Sequence, residues 1–292
     1  MGRLSSETRP ILLFVGNLYA SLLTLKRQLI VDDTVDDQRL LDYLEVASRA
    51  LDRVTGRRFY SQVATRVFDG PGGTRLWLPS WDGDLISVTS LAVDEGDDGI
   101  YELALTTSDY RLWPYNADGE PYRRIDIRGN SVLISAWPSG PAAVQVVGRF
   151  GWSEVFDALT TANGSAITGT VADASTPTIT TSADATTRIT AGETIKIESE
   201  HLYVSAVSST ALTVTRGVNG TTAAAHSAKA ISRRRYPVEV EQAVVMVTSR
   251  YLRDMRTAGS GSIGGGDFGA SLPTEYAQIA QLQRFFTAPV VA

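Results

Sequence analysis

The stretch Thr34–Tyr60, TVDDQRLLDYLEVASRALDRVTGRRFY, decides how the rest of the chain is read. Leu40, Leu44, Ala47, Leu51 and Val54 recur at alternating spacings of four and three, with Leu41 beside them. That period draws one apolar stripe along an α-helix. Arg39, Asp42, Glu45, Arg49 and Asp52 fall on the other side, and Glu45 and Arg49 stand in the favourable i,i+4 order. Thr34 with Asp37 reads as a capping-box-like start, and Asp36 and Asp37 suit the positive end of the helix dipole. Gly56 is placed to end the helix in a left-handed conformation. Spacing alone leaves two uses open, a core-packing helix or a dedicated binding helix.

Upstream, Ser21–Val31 predicts a short helix with Leu22, Leu25 and Leu29 on one face. Downstream the period changes from 3.6 to 2. Segments 63–68, 74–78, 85–93, 101–105, 110–113, 123–127, 132–137 and 143–150 read as strands of a meander-like antiparallel sheet. Trp77, Trp81, Trp113, Trp137 and Trp152 lie in it or at its edge and are expected to anchor its core. From Thr160 to about Ala230, Ala, Thr, Ser and Gly dominate, while 189–197, 202–207 and 212–215 still alternate. A small inserted β-module fits this block, with an Asn219-Gly220 turn; a linker at its start is the alternative. Pro237 opens a second long helix, striped by Val240, Val244, Val247 and Tyr251. A Gly/Ser-rich linker and a short terminal helix over 273–286 follow.

Composition narrows the function. The 292 residues are 43% hydrophobic and 20% charged, an ordinary globular balance. A net charge of −5 argues against a dedicated nucleic-acid binder. With no cysteine there is no disulfide, thiolate metal site or cysteine nucleophile, which fits a reducing cytoplasm. Two histidines, His201 and His226, make a His-rich metal site a poor fit. The short apolar run 11–15 reads poorly as a secretory signal, and no run approaches a membrane span.

Motifs that resemble chemistry fail their context tests. Gly259–Gly264 matches G-x-G-x-x-G, but a helix precedes it where the mechanism needs a strand. Asn116, Asp118 and Glu120 lack the later ligands of a calcium loop. Asp94–Asp98 reads as a solvated hairpin tip, with weak cation binding the alternative, and Arg233–Arg235 as a solvated junction, with contact to a phosphate backbone or an acidic neighbour the alternative. No cofactor is implied, and the reading is against an enzyme.

The order of several short motifs resembles the head–tail connector (adaptor) proteins of tailed bacteriophages. They are Tyr19–Lys26, Asp32-Asp33, Ala47–Ala50, Thr55–Tyr60, Leu76–Pro79, Ile86–Leu91, Asp109–Leu112, Gly148–Trp152 and Tyr236–Val240. The resemblance covers about 19–152 and 235–286. Thr215–His226 is similar to a small β-module of phage tail and connector proteins.

The resemblance implies an α+β fold: a helical connector core of two long helices plus a terminal helix, an antiparallel sheet region and an inserted all-β module. The expected division is a 1–18 extension, a core of 19–159 with 233–257, a module at 160–232, a linker at 258–271 and a tail at 272–292. It further implies a virion protein of the neck, assembled in the host cytoplasm, in which about twelve copies form a ring under cyclic symmetry. Its partners would be the portal, a stopper or tail-completion or tail-tube protein, and DNA passing through without sequence-specific binding, with no membrane involved. Asp42, Glu45, Arg49, Asp52, Arg53, Arg57 and Arg58 become candidate subunit-interface residues. Tyr276, Ile279, Leu282, Phe285 and Phe286 become candidate portal-docking residues. A tail or baseplate component whose β-module binds a host surface or a neighbouring virion protein remains the alternative.

Overall fold

The computed structural model describes residues 16–79 and 83–258. Two helices come first, α1 (Leu22–Leu29) and α2 (Asp37–Thr55). Seven strands follow: β1 (Gln62–Pro71), β2 (Arg75–Trp77), β3 (Leu85–Val93), β4 (Leu103–Leu105), β5 (Tyr110–Trp113), β6 (Arg124–Ile127) and β7 (Ser139–Phe150). Then come β8 (Val155–Ala158), β9 (Thr168–Val171), β10 (Thr178–Thr181), β11 (Thr194–Ile197), β12 (Glu200–Ser208), β13 (Ala211–Thr215) and β14 (His226–Arg235), and last α3 (Val238–Ala258).

The expected α+β class with a helical connector core is overturned. Strands take 37% of the described residues and helices 18%, with three helices among them, so the described protein is mostly β. The reason lies in the Ala/Thr/Ser-rich block. Its small and β-branched residues form strands throughout, including β9 and β10 where a linker was the alternative. Strands β11-β12-β13-β10-β9-β14 pair in that order, and β14 returns to β11, closing a six-strand barrel. Closure removes the exposed edges that a small open sheet would carry. Alternate residues point inward: Ile179, Ile195, Ile197, Val204, Leu212 and Ile231 are fully or almost fully buried. The interior is so narrow that a Cβ on Gly169 would meet side-chain carbons of Ile179, Ile197 and Ile231 at 2.9–3.1 Å.

The strands before the barrel form two sheets in place of one meander. Strand β7 lies between β1 and β3 in a four-stranded sheet, β1-β7-β3-β4, while β2-β6-β5 form a second. Between them pack Phe68, Leu91 and Val146 from the first sheet and Leu76, Ile125 and Tyr110 from the second. Residues 132–137 are not a strand, although Trp137 still fills this core.

The helices share a third core with residues distant in sequence. Leu40, Leu44, Ala47 and Leu51 of α2 pack with Leu25 of α1, with Val240 and Val244 of α3, and with Tyr19, Phe59, Trp152 and Tyr236. Gly56 ends α2 with φ +64°, its N–H bonding the Asp52 carbonyl at 2.9 Å. Thr34 does not cap the helix. Asp36 holds that position without a side-chain bond, and Lys26 bridges to Asp37 at 2.7 Å. Helix α1 is capped by Ser21, whose hydroxyl accepts from the Thr24 N–H at 3.0 Å.

The chain enters and leaves the barrel at one place. Strand β8 runs antiparallel to the end of β14, with Val155 opposite Arg235. The Asn219-Gly220 pair is not a two-residue hairpin turn. It lies in the 216–225 connection, where the Asn219 carbonyl accepts from the Val63 N–H at 2.8 Å and ties the barrel to β1.

Candidate functional site

Helix α2 and the residues just after it place their polar side chains on two levels. Asp42 and Arg53 are exposed, and Glu45 and Arg58 are half-buried. Arg49, Asp52 and Arg57 turn inward and hold the fold together. The Arg49 guanidinium lies over the rings of Tyr19 and Tyr60 at 5.2 and 5.4 Å, donates to the Asn17 carbonyl at 3.0 Å and pairs with Asp52 at 3.1 Å. The Tyr19 hydroxyl donates to Asp52 and accepts from the Phe59 N–H at 3.1 Å. Burial pushes the Asp52 carboxyl up to about 6, against the pull of Arg49 and Tyr19.

Arg57 is buried too. It donates to both oxygens of Asp84 at 2.5 and 2.7 Å and stacks over Trp152 at 5.0 Å. The Asp84 carboxyl is raised by burial despite Arg57. Losing one partner of such a pair leaves an uncompensated charge, at a cost of about 3–5 kcal/mol.

The barrel has its own buried charges. Glu200 accepts from Arg216 Nε and Nη2, each at 2.7 Å, from the N–H groups of Gly217 and Ala224, and faces His226 Nε2 at 2.8 Å. The other ring nitrogen of His226 lies 2.9 Å from Glu198. Burial alone would raise Glu200, yet these donors hold it down at about 2. His201 meets Glu154 at 3.3 Å, beside Arg149 and Lys196, and burial lowers its pKa. Both histidines thus serve ion networks.

Arg234 is buried against Phe156 and donates to the Ser61 hydroxyl at 2.6 Å, while Arg233 and Arg235 face Glu193 and Asp157. With Tyr19, Thr24 and Glu241 they border an open cleft of about 350 Å³. Asp94, expected in a solvated tip, is buried. Its carboxylate accepts from the N–H groups of Asp98 and Gly99 and fixes the tip. The carboxylates of Asp94, Asp98 and Glu102 crowd within 4.8 Å of one another. Asp118 lies in a turn with φ +42°. Tyr276, Ile279, Leu282, Phe285 and Phe286, and the glycine motif at 259–264, lie outside the described residues.

The sequence reading missed one surface. Trp77, Arg124 and Trp113 sit opposite one another across β2, β6 and β5, and Arg75, Asp126 and Arg111 form the next row. Arg124 lies over both tryptophan rings at 4.8 and 4.7 Å and pairs with both Asp126 oxygens at 2.6 and 2.8 Å. The Tyr115 hydroxyl also reaches Asp126, at 3.1 Å. Trp77 and Tyr115 are 54% and 59% exposed, so Trp77 does not anchor a core as expected of it, whereas Trp137 and Trp152 are buried in cores. The signal was present. Leu76, Ile125 and Leu112 alternate with these residues, and the two sets must face opposite sides of a pleated sheet.

No family model matches the chain, and no curated protein matches it. Among solved structures, the chain is similar to a chain of one described as the neck of an empty GTA particle computed with C6 symmetry. The likeness has 15% identity and a TM-score of 0.39, over 91% of this chain and 92% of the other.

Proposed function

We propose that this chain is a structural, non-enzymatic protein of the neck of a phage-like particle. In this reading it is a head–tail adaptor. Its copies form a ring beneath the portal, DNA passes through the lumen, and the next neck or tail protein docks on the far side. The observation that carries the reading is a convergence. Tyr19, Phe59, Trp152 and Tyr236 come from four of the motif stretches that resemble the adaptor family, and they share one core. Tyr19 packs edge-on against Phe59 at 5.5 Å and lies 4.8 Å from Tyr236, while Phe59 lies 6.1 Å from Trp152. Stretches up to about two hundred residues apart thus build the joint between helices and sheets.

The adjacent ends of β8 and β14 support reading the barrel as an insertion into that frame. An insertion whose ends meet leaves the surrounding fold undisturbed. Net negative charge suits a lumen through which DNA slides, because a basic surface would hold the phosphates.

Binding of the full chain to purified portal rings tests this function, measured by co-sedimentation. The full chain is expected to travel with the portal, and a chain lacking Leu272–Ala292 is expected to stay folded but lose docking. A full chain that remains monomeric and never binds a portal ring contradicts the reading.

A further inference from the structure

The outer face of the β2-β6-β5 sheet has the composition of an interface centre. Its middle row is Trp77–Arg124–Trp113, with Tyr115 beside it. Tryptophan, tyrosine and arginine are the residues most enriched where binding energy concentrates. Arg124 already lies over both rings and is locked to Asp126, so little side-chain freedom remains to be lost on binding. The face carries three arginines, Arg75, Arg111 and Arg124, against one acid, Asp126.

The complementary surface is on the same chain. The tip between β3 and β4, DEGDDGIYE over Asp94–Glu102, holds five acids and no cation. Glu95, Asp97, Asp98 and Glu102 are exposed, and Ile100 projects among them at 62% exposure. Asp94 and Asp98 accept from backbone N–H groups and preset the tip's shape. Three carboxylates within 4.8 Å repel one another, and an incoming guanidinium relieves that repulsion.

The two surfaces lie on different sheets of one copy. The Leu85–Tyr122 bridge puts Arg124 beside the start of β3, whereas the tip follows its end at Val93. Nine strand residues span roughly 30 Å. A patch and its complement on different surfaces of one body make a head-to-tail contact between copies, the kind that generates rings.

We propose that the Trp77–Arg124–Trp113 face of one copy receives the acidic Asp94–Glu102 tip of the next, with Ile100 against the tryptophan rings and the tip acids facing Arg75 and Arg111. This rests on the ring reading of the preceding section and names the contact that closes the ring.

The test uses the full chain, with portal rings present, and reads the mass of the assemblies by light scattering. Trp77→Ala disables the face and Glu95→Lys the tip. Both positions are exposed, and circular dichroism checks that each variant folds. Each variant alone is expected to lose at least about tenfold in self-association. An equimolar mixture is expected to form 1:1 dimers through the one intact face and the one intact tip. Arg111→Glu combined with Glu95→Lys in one chain is expected to restore assembly. If wild type forms rings and both single variants do so equally well, the contact is wrong while the ring reading stands. The contact is equally wrong if the mixture stays monomeric, or if Trp77→Ala abolishes binding of a polysaccharide or single-stranded nucleic acid and leaves rings intact. If wild type forms no ring even on the portal, the ring reading falls and the contact with it.

Discussion

Asp52 in the helical joint and Glu200 in the barrel are both buried carboxylates, each with an arginine beside it, yet their protons are held in opposite directions. Asp52 is pushed up to about 6 and Glu200 held down at about 2. The difference is the number of donors. Asp52 has one ion pair and one tyrosine hydroxyl. Glu200 has a two-point arginine, an imidazole nitrogen and two backbone N–H groups. Burial penalises both charges, and only a full set of donors repays that penalty.

The two regions therefore respond oppositely to pH. A raised folded-state pKa contributes stability that is full below the unfolded value and lost as pH rises through about 6. A lowered one contributes stability that is present above the unfolded value and lost as pH falls toward about 2. Acid tightens the joint at Asp52 and loosens the barrel at Glu200.

The largest expected effect breaks the better-satisfied site. Glu200→Ala strands Arg216 and His226 and should cost about 3–5 kcal/mol in denaturant unfolding. A loss under about 1 kcal/mol would mean that solvent reaches the network freely. At the joint, Asp52→Asn should flatten the pH dependence of stability between pH 4 and 7 relative to wild type. A shift of that size corresponds to on the order of 3 kcal/mol. An unchanged slope would show that Asp52 does not titrate there. Gly169→Ala tests barrel packing, since a methyl group inserted among three isoleucines should cost about 1–3 kcal/mol, read as a lower melting temperature. The smallest effects belong to the exposed residues of α2. Asp42→Ala and Arg53→Ala should change stability by no more than about 0.5 kcal/mol, and a larger loss would place them in the fold and not at its surface.

The joint was more legible in the sequence than the barrel. Leucines at helical spacing marked α2, and Gly56 marked its end within one residue, because those signals are local. Arg49 and Asp52 looked like outer-face charges because spacing gives a direction but not what lies there. Tyr19 and Trp152, which bury Arg49 and Arg57, come from outside the helix. The barrel was legible only in β11, β12 and β13, since closure by β14 on β11 is a pairing between residues about thirty-five apart that no local period encodes. The same limit explains the fold class, where a block read as a small addition is a closed barrel and shifts the balance to β. Trp77 and Trp113 carried a usable signal in their alternation with Leu76 and Leu112, which outweighs the general tendency of tryptophan toward cores.

Imaging of the full chain, alone and mixed with portal rings, tests the central claim most directly. Negative-stain class averages should contain closed rings with an open centre, seated coaxially on the portal when it is present. Single particles the size of one 31.5 kDa chain, with portal rings left bare, would contradict the account.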